Sequence, residues 1–332
     1  MSKTSLFVSI IIPCRNEEKF IGKCLDSLAL QDYPKDKLEI LVVNGASNDG
    51  TKEVVENYAK RYPLIKLLEN PQKFTPFGLN IGVKEAKGEI IIRMDAHAEY
   101  EKDYISKCVF YLMNSGADNV GGVIKTLPAK NTPEARAIAL SLSIHFGVAS
   151  DFRVGSREAK EVDTVFGGCF KKETFQKIGF FNEKLKRSQD LEFNLRLKRA
   201  GGKILLFPDI IIFYYPQETF KNFFKHNFDD GTWSIYPLKI IKIKFKLRHY
   251  LPLVLVGSLT FTFILGIFSS FFSTIFLLIL FFYLLATFYF SLKITVREKD
   301  LRFLFLMPIA FFCRHFGYGL GSVWGLIKIL KD

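Results

Sequence analysis

The chain has 332 residues, 49% of them hydrophobic, and a formal net charge of +13. That length holds one large domain with room for something more. From Tyr236 onward, 12 Lys and Arg face 3 Asp and Glu among long apolar runs, so +9 of the +13 lies in that last part. Charge gathered at a hydrophobic end points to a membrane surface and not to nucleic acid, whose binders carry their basic stripe on a soluble module. Five cysteines without a Cys-x-x-Cys pair argue against a disulfide framework or zinc site and for a reducing, cytoplasmic setting. Met1 to Phe7 is too short and polar for a signal peptide.

Val8 to Pro13 is a β-branched run and reads as a first buried strand, with Cys14-Arg15-Asn16-Glu17-Glu18 as the polar loop after it. Phe20 to Leu30 has helical spacing. Leu38 to Val43 is a second strand, and the turn-rich Asn44–Thr51 opens a helix that runs to Arg61. Ile65 to Leu68 is a third strand. Asn80 to Ala86 reads as a helix, and Lys87-Gly88 ends it before a strand over Glu89–Met94. Alternating strands and helices predict a doubly wound, mostly parallel α/β sheet. Its polar strand ends, at Arg15–Glu18, Asn44–Asp49 and Asp95–Glu99, should line one edge, the default nucleotide site.

The stretch Ile90 to Glu99 draws the most chemistry. An apolar run stops at Asp95, and His97 and Glu99 follow at alternate positions. If the strand continues, the three side chains point the same way and could hold a divalent cation and, through it, a diphosphate. The plain alternative is a polar loop after a core strand. Neither a G-x-x-x-x-G-K-[ST] loop nor a G-x-G-x-x-G turn follows the first strand, so a nucleotide is not held in those ways.

Further on, Asn119–Ile124, Val162–Phe166 and Lys203–Phe207 read as strands, and Arg136–Val148 and Asn182–Ala200 as helices. Gly167-Gly168-Cys169-Phe170 reads as a tight turn where backbone can approach a ligand. Asp190 lies near a helix start, where its charge is favoured; it could equally be a partner of Arg187 or Arg196.

Six pieces, in this order, resemble the family 2 glycosyltransferases with a GT-A fold. They are Ile12–Glu18, Val43–Thr51, Gly78–Gly82, Arg93–Ala98, Gly167–Phe170 and Gln189–Glu192. The Asp-Ala-His-Ala variant followed by hydrophobic helices is most similar to the succinoglycan-type branch. The resemblance implies a Rossmann-like GT-A domain and nucleotide-sugar contacts at Pro13, Arg15, Asn16, Glu17, Asn44, Asp49, Asn80, Asp95, Gly168 and Gln189. It implies Asp95 and His97 at the Asp-x-Asp positions, Glu99 as a further metal ligand, and Asp190 as the catalytic base. The implied cofactor is a divalent metal, Mn²⁺ or Mg²⁺. Asn44 departs from the usual Asp, His97 from the second Asp, and Gln189 from the usual Glu. His97 favours Mn²⁺, because imidazole nitrogen suits it better than Mg²⁺. No Gln-x-x-Arg-Trp follows, which points to single transfers and not to a processive synthase.

The expected organisation is a catalytic domain over 1–235, a basic interfacial segment over 236–250, and three membrane helices at 251–271, 273–292 and 303–327. Lys293, Arg297, Lys299 and Arg302 place their loop, and with it the catalytic domain, on the cytoplasmic side of the cell membrane. Trp233, Arg248 and the mid-span Arg314 are candidate contacts for lipid or acceptor. The expected activity is inverting transfer from a nucleotide-diphosphate sugar, with UDP as the expected nucleotide, to a lipid-linked acceptor such as a polyprenyl-diphosphate oligosaccharide. The alternatives are a polyprenyl-phosphate hexose synthase and a degenerate membrane scaffold or nucleotide-sugar sensor. No nucleic-acid partner is expected.

Overall fold

The computed structural model describes residues 6–147, 150–241 and 247–331, without the side chains of 236–241 and 248. The chain packs as two units, Met1–Lys125 with Asp151–Tyr214, and Thr126–Ser150 with Tyr215–Asp332. The second unit thus includes residues 126–150 and 215–235, which the sequence reading groups with the catalytic domain.

The first unit begins with β1 (Val8–Cys14), α1 (Ile21–Ala29), β2 (Leu38–Asn44), α2 (Thr51–Arg61), β3 (Ile65–Glu69), α3 (Thr75–Glu85) and β4 (Ile90–Arg93). It continues with β5 (Ala98–Tyr100), α4 (Tyr104–Asn114) and β6 (Asn119–Thr126). After α5 (Pro133–Leu142), which packs in the second unit, come α6 (Asp151–Val154), β7 (Lys160–Glu161), β8 (Gly168–Lys171), α7 (Lys172–Ile178), α8 (Gln189–Arg199) and β9 (Ile204–Tyr214).

All these strands form one sheet in the order β3-β2-β1-β4-β8-β6-β9-β5, with β7 on β9. The half built from β3, β2, β1 and β4 is parallel. From β8 onward the pairs β4–β8, β6–β8, β5–β9 and β7–β9 are antiparallel. The mostly parallel expectation therefore describes one half of a mixed sheet. Gly167–Phe170, expected as a turn, leads straight into β8. Its two glycines take positive φ, 71° and 123°, and a Cβ on Gly167 would stand 2.5 Å from the Arg93 carbonyl oxygen. What approaches closely there is the backbone of β4.

Side-chain alternation divides the apolar residues between two cores. Ile10, Ile12, Ile40, Val42, Ile90 and Ile92 pack with Ile21, Leu25 and Leu28 of α1 and Ile105 and Leu112 of α4. Ile11, Leu41, Val43 and Ile91 pack with Leu79 and Val83 of α3 and Phe193 and Leu197 of α8. With helices on both faces, β1 and β2 are buried at nearly every residue. Strand order turns back between β1 and β4, so their carboxyl ends flank the crevice where open α/β sheets take ligands.

The second unit comprises α5, α9 (Phe220–Ile241), α10 (Leu251–Gly266), α11 (Ser270–Glu298) and α12 (Arg302–Lys331). Among the described residues, α11 and α12 are long and apolar enough to cross a membrane, while α10 is a shorter apolar helix of 16 residues. Of the expected interfacial segment, residues 242–246 and the side chain of Arg248 lie outside the described residues. Ala137 and Ile138 of α5 are buried against Met307, Phe311 and Cys313 of α12 and Phe223 of α9. This apolar face of α5 is what draws residues 126–150 into the second unit.

Candidate active site

The site forms at the carboxyl ends of β1 and β4 and at the start of α8. Beyond β1, two loops are zipped together. The Asn16 N–H donates to Ser47 Oγ at 3.0 Å, and the Asn48 N–H donates to Asn16 Oδ1 at 3.0 Å. The Glu17 N–H donates to Thr51 Oγ1 at 2.7 Å. Asp49 accepts from the Thr51 N–H at 3.1 Å and the Glu18 N–H at 3.3 Å. Burial opposes the Asp49 charge, but these donors win and hold its pKa below the ordinary value. Asn16 and Ala46 both take positive φ in these turns. Pro13 is half-buried at the end of β1, and Arg15 is exposed beside Gly45.

Asn44 and Asn80 are buried, each with its amide engaged by protein. Asn44 Nδ2 donates to Glu69 at 3.2 Å and Oδ1 accepts from the Ser47 N–H at 3.1 Å. Asn80 Nδ2 donates to the Phe181 carbonyl at 2.9 Å and to Glu183 at 2.8 Å, and Oδ1 accepts from the Phe181 N–H at 2.9 Å. It thereby ties α3 to the loop that leads into α8. Gln189 is buried at the first residue of α8, and Gly168 is buried within β8.

Arg93, at the end of β4, organises the centre. Its Nη2 lies 2.6 Å from Asp95 Oδ1 and its Nη1 lies 3.2 Å from Asp190 Oδ2, with the Arg93 side chain only 7% exposed. The ring of Phe166 stands 5.8 Å from the guanidinium carbon, within cation–π range. Burial works against the Arg93 charge, but Asp190 and Asp95 more than offset it, so its pKa is raised. Burial pushes the Asp190 carboxyl up to about 6, with Arg93 opposing and Asp95 adding to the rise. Oδ1 of Asp190 is buried without a hydrogen-bond partner, an atom ready for an incoming donor.

His97 Nδ1 lies 3.0 Å from Glu17 Oε1. Burial alone would lower its pKa, yet the Glu17 hydrogen bond and the charges of Glu17 and Asp95 raise it. A carboxylate only accepts, so Nδ1 carries the hydrogen; in the neutral imidazole Nε2 then keeps the lone pair, the form in which histidine binds metals. Carboxylate and imidazole are donor types that a divalent ion takes, and the Asp95 charge acts on His97, while the same carboxylate is held by Arg93. Glu99 does not join them. Ala96 and His97 form a turn, which breaks the two-residue alternation expected over 95–99, and Glu99 faces a surface cleft of about 450 Å³ lined also by Lys23, Asp26 and Lys102. Among the described residues, no three His, Cys, Asp or Glu side chains gather as a ready ligand set.

Arg93 was missed by sequence reasoning, although a signal existed: an arginine closing a buried isoleucine run next to an acid. Of the lipid candidates in the second unit, Trp233 is half-buried. Arg314 is 2% exposed and donates to the Ser141 carbonyl. The next residue, His315, pairs through Nε2 with the Phe146 carbonyl at 2.9 Å. These mid-helix polar groups are satisfied by the backbone of α5 and of the segment just after it.

Residues 9–173 match the family model described as Glycosyl transferase family 2. The chain belongs to that family. The dolichyl N-acetyl-alpha-D-glucosaminyl phosphate 3-beta-D-2,3-diacetamido-2,3-dideoxy-beta-D-glucuronosyltransferase of Methanococcus voltae is 28% identical over 330 residues, covering 97% of this chain and 98% of its own. The succinoglycan biosynthesis protein ExoA of Rhizobium meliloti is 27% identical over 259 residues, covering 73% of this chain and 78% of its own. Among solved structures, the mannosyltransferase PcManGT of Pyrobaculum calidifontis, in complex with GDP-Man and Mn²⁺, superposes with a TM-score of 0.63 at 19% identity, covering 98% of this chain and 88% of its own. That likeness establishes the GT-A fold. The chain is a family 2 glycosyltransferase, and two of its described helices are long and apolar enough to cross a membrane.

Proposed function

We propose that this glycosyltransferase moves a sugar from a UDP-sugar to a lipid-linked acceptor, a polyprenyl-diphosphate oligosaccharide, with inversion, in polysaccharide or glycan assembly. One observation carries the reading: Asp95 beyond β4 and Asp190 in the first turn of α8 are held on a single buried guanidinium. This pairs a carboxylate at the strand-end crevice with a second carboxylate whose raised pKa suits proton transfer near neutrality.

Asp190 takes the proton of the acceptor hydroxyl as that oxygen attacks the anomeric carbon. The bond to the diphosphate breaks, and the diphosphate departs with the electron pair from the opposite face. One carboxylate suffices, because no sugar is bonded to the enzyme. Asp95 and His97 would hold the divalent cation, which when bound stabilises charge on the departing diphosphate as a Lewis acid. The zipped loops after β1 and β2 would border the base. The names of the relatives support the acceptor class, one citing a dolichyl-linked phosphate and the other succinoglycan biosynthesis.

In this reading α11 and α12 cross the cell membrane. The cations at 293–302, at the end of α11 and the start of α12, keep that end cytoplasmic. The catalytic unit shares that side if α10 is the returning span. Its 16 residues rise about 24 Å, a shortfall against a core of about 30 Å that local thinning absorbs.

The test is a screen of radiolabelled UDP- and GDP-hexoses on purified membranes with added polyprenyl phosphate. Label entering the lipid extract, and absent with Asp190→Asn, supports the proposal. Extension of a diphosphate-linked glycan marks the proposed activity, whereas one sugar on a monophosphate marks a hexose synthase. UDP and Mn²⁺ binding without transfer would leave only a sensor.

A further inference from the structure

The crevice between β1 and β4 is bridged by one side-chain pair, Glu17 and His97, at 3.0 Å. Glu17 is fixed at its backbone by Thr51, whose Oγ1 accepts its N–H at 2.7 Å. His97 is held on a further side by Tyr214, whose ring meets it edge-on with centroids 5.4 Å apart. The imidazole is thus restrained by both a carboxylate and an aromatic face. The turn at Ala96 and His97 interrupts the strand, and the ring meets Glu17 beyond the end of β1.

We propose that Glu17 is a positioning residue that makes His97 a metal ligand. By accepting the Nδ1 hydrogen, Glu17 fixes the tautomer in which Nε2 holds the lone pair, and it orients the ring. Carboxylates that accept from the far nitrogen of a ligating histidine raise its basicity in this way. A carboxylate ligand at position 97 would need no such partner, having no tautomer to choose. Glu17 and His97 therefore work as a unit. A bare surface ion pair would account for the distance, but it would not couple Glu17 to metal affinity. The inference rests on the reading of Asp95 and His97 as cation ligands.

The experiment titrates Mn²⁺ into the full-length enzyme in detergent with saturating UDP, reading free ion by electron paramagnetic resonance. Wild type, Glu17→Gln, His97→Asp, their double variant and His97→Ala are compared, with thermal melting to confirm folding and Glu17→Ala as a second probe. Glu17→Gln should weaken Mn²⁺ binding about 10- to 100-fold. In the His97→Asp background the same change should matter less than about twofold, the mark of a coupled pair. An equal loss in both backgrounds, or none in wild type, overturns the inference. If wild type itself binds no Mn²⁺ with UDP, the cation reading falls and this inference with it. If His97→Ala abolishes binding while neither Glu17 variant alters it, only the role of Glu17 falls.

Discussion

The guanidinium of Arg93 reaches Asp190 at 3.2 Å while its other terminal nitrogen holds Asp95 at 2.6 Å. Two carboxylates are thereby set at a fixed distance on one rigid fork, which a lysine cannot reproduce. Without the arginine, two negative groups would face each other in a buried site. Arg93→Gln should lower kcat by about 10²- to 10³-fold, the scale of losing one preorganised electrostatic group. Arg93→Lys should recover part of that loss, because it returns the charge without the fork. Initial rates over a range of donor concentration check this, and a loss confined to KM would refute it.

The pH dependence follows from Asp190. Its carboxyl is pushed up to about 6, chiefly by burial, and only the ionised form can accept a proton. The rate should therefore fall as pH drops through about 6, giving kcat/KM an acid limb there. The stability effect has the opposite sense. A carboxyl raised above its unfolded value favours the fold most at low pH, and that contribution is lost as pH rises from the ordinary range through about 6. Asp190→Asn should thus reduce transfer by about 10²- to 10⁴-fold without lowering the melting temperature at pH 7.5. Melting below wild type there would contradict the assignment.

The parallel half of the sheet was legible because each strand is a β-branched run closed by a polar cluster. The antiparallel half was not. Gly167 and Gly168 resemble turn residues, and only pairing with β4 turns Gly168–Lys171 into a central strand. Tyr104–Asn114 carries an apolar face that passed unread, yet it buries Ile105, Cys108 and Leu112. In the site, Asp95, His97 and Asp190 were visible from motif and position. Partners were not, since Glu17–His97, Arg93–Asp190 and Asn80–Phe181 join residues that are 80 to 101 positions apart. The period-two rule failed at 95–99 because it presumes an unbroken strand, and a turn at Ala96 interrupts it.

At the amino ends of the parallel strands, Glu39 ties three segments together. It accepts from Ser9 Oγ at 2.7 Å, the Lys87 N–H at 2.6 Å and Lys66 Nζ at 3.1 Å, while Ser9 Oγ accepts from the Gly88 N–H at 2.8 Å. Burial opposes the Glu39 charge, but these donors keep its pKa below the ordinary value. Its contribution is therefore present at neutral pH and lost as pH falls through the acid range. Glu39→Ala should cost about 1 to 3 kcal/mol by stranding buried donors, with catalysis at low temperature unchanged. Denaturant melts at pH 7 and pH 4 check this: the gap between wild type and variant should narrow at pH 4.

In the second unit, α9 and α12 meet backbone to backbone through glycines. A Cβ on Gly321 would stand 2.0 Å from the Phe228 carbonyl oxygen, one on Gly231 2.0 Å from that of Tyr318, and one on Gly325 2.6 Å from that of Thr232. Such close approach leaves no room for a side chain at these positions. Gly321→Ala must push the two backbones apart, at a cost of about 1 to 3 kcal/mol. Gly257→Ala, in α10, meets nothing within 4 Å and should be neutral. Thermal melting of the purified enzyme in mild detergent compares the two directly. A lower melting temperature for Gly321→Ala beside an unchanged Gly257→Ala supports glycine packing, and equal melting of both would mean that α9 and α12 are not held this way.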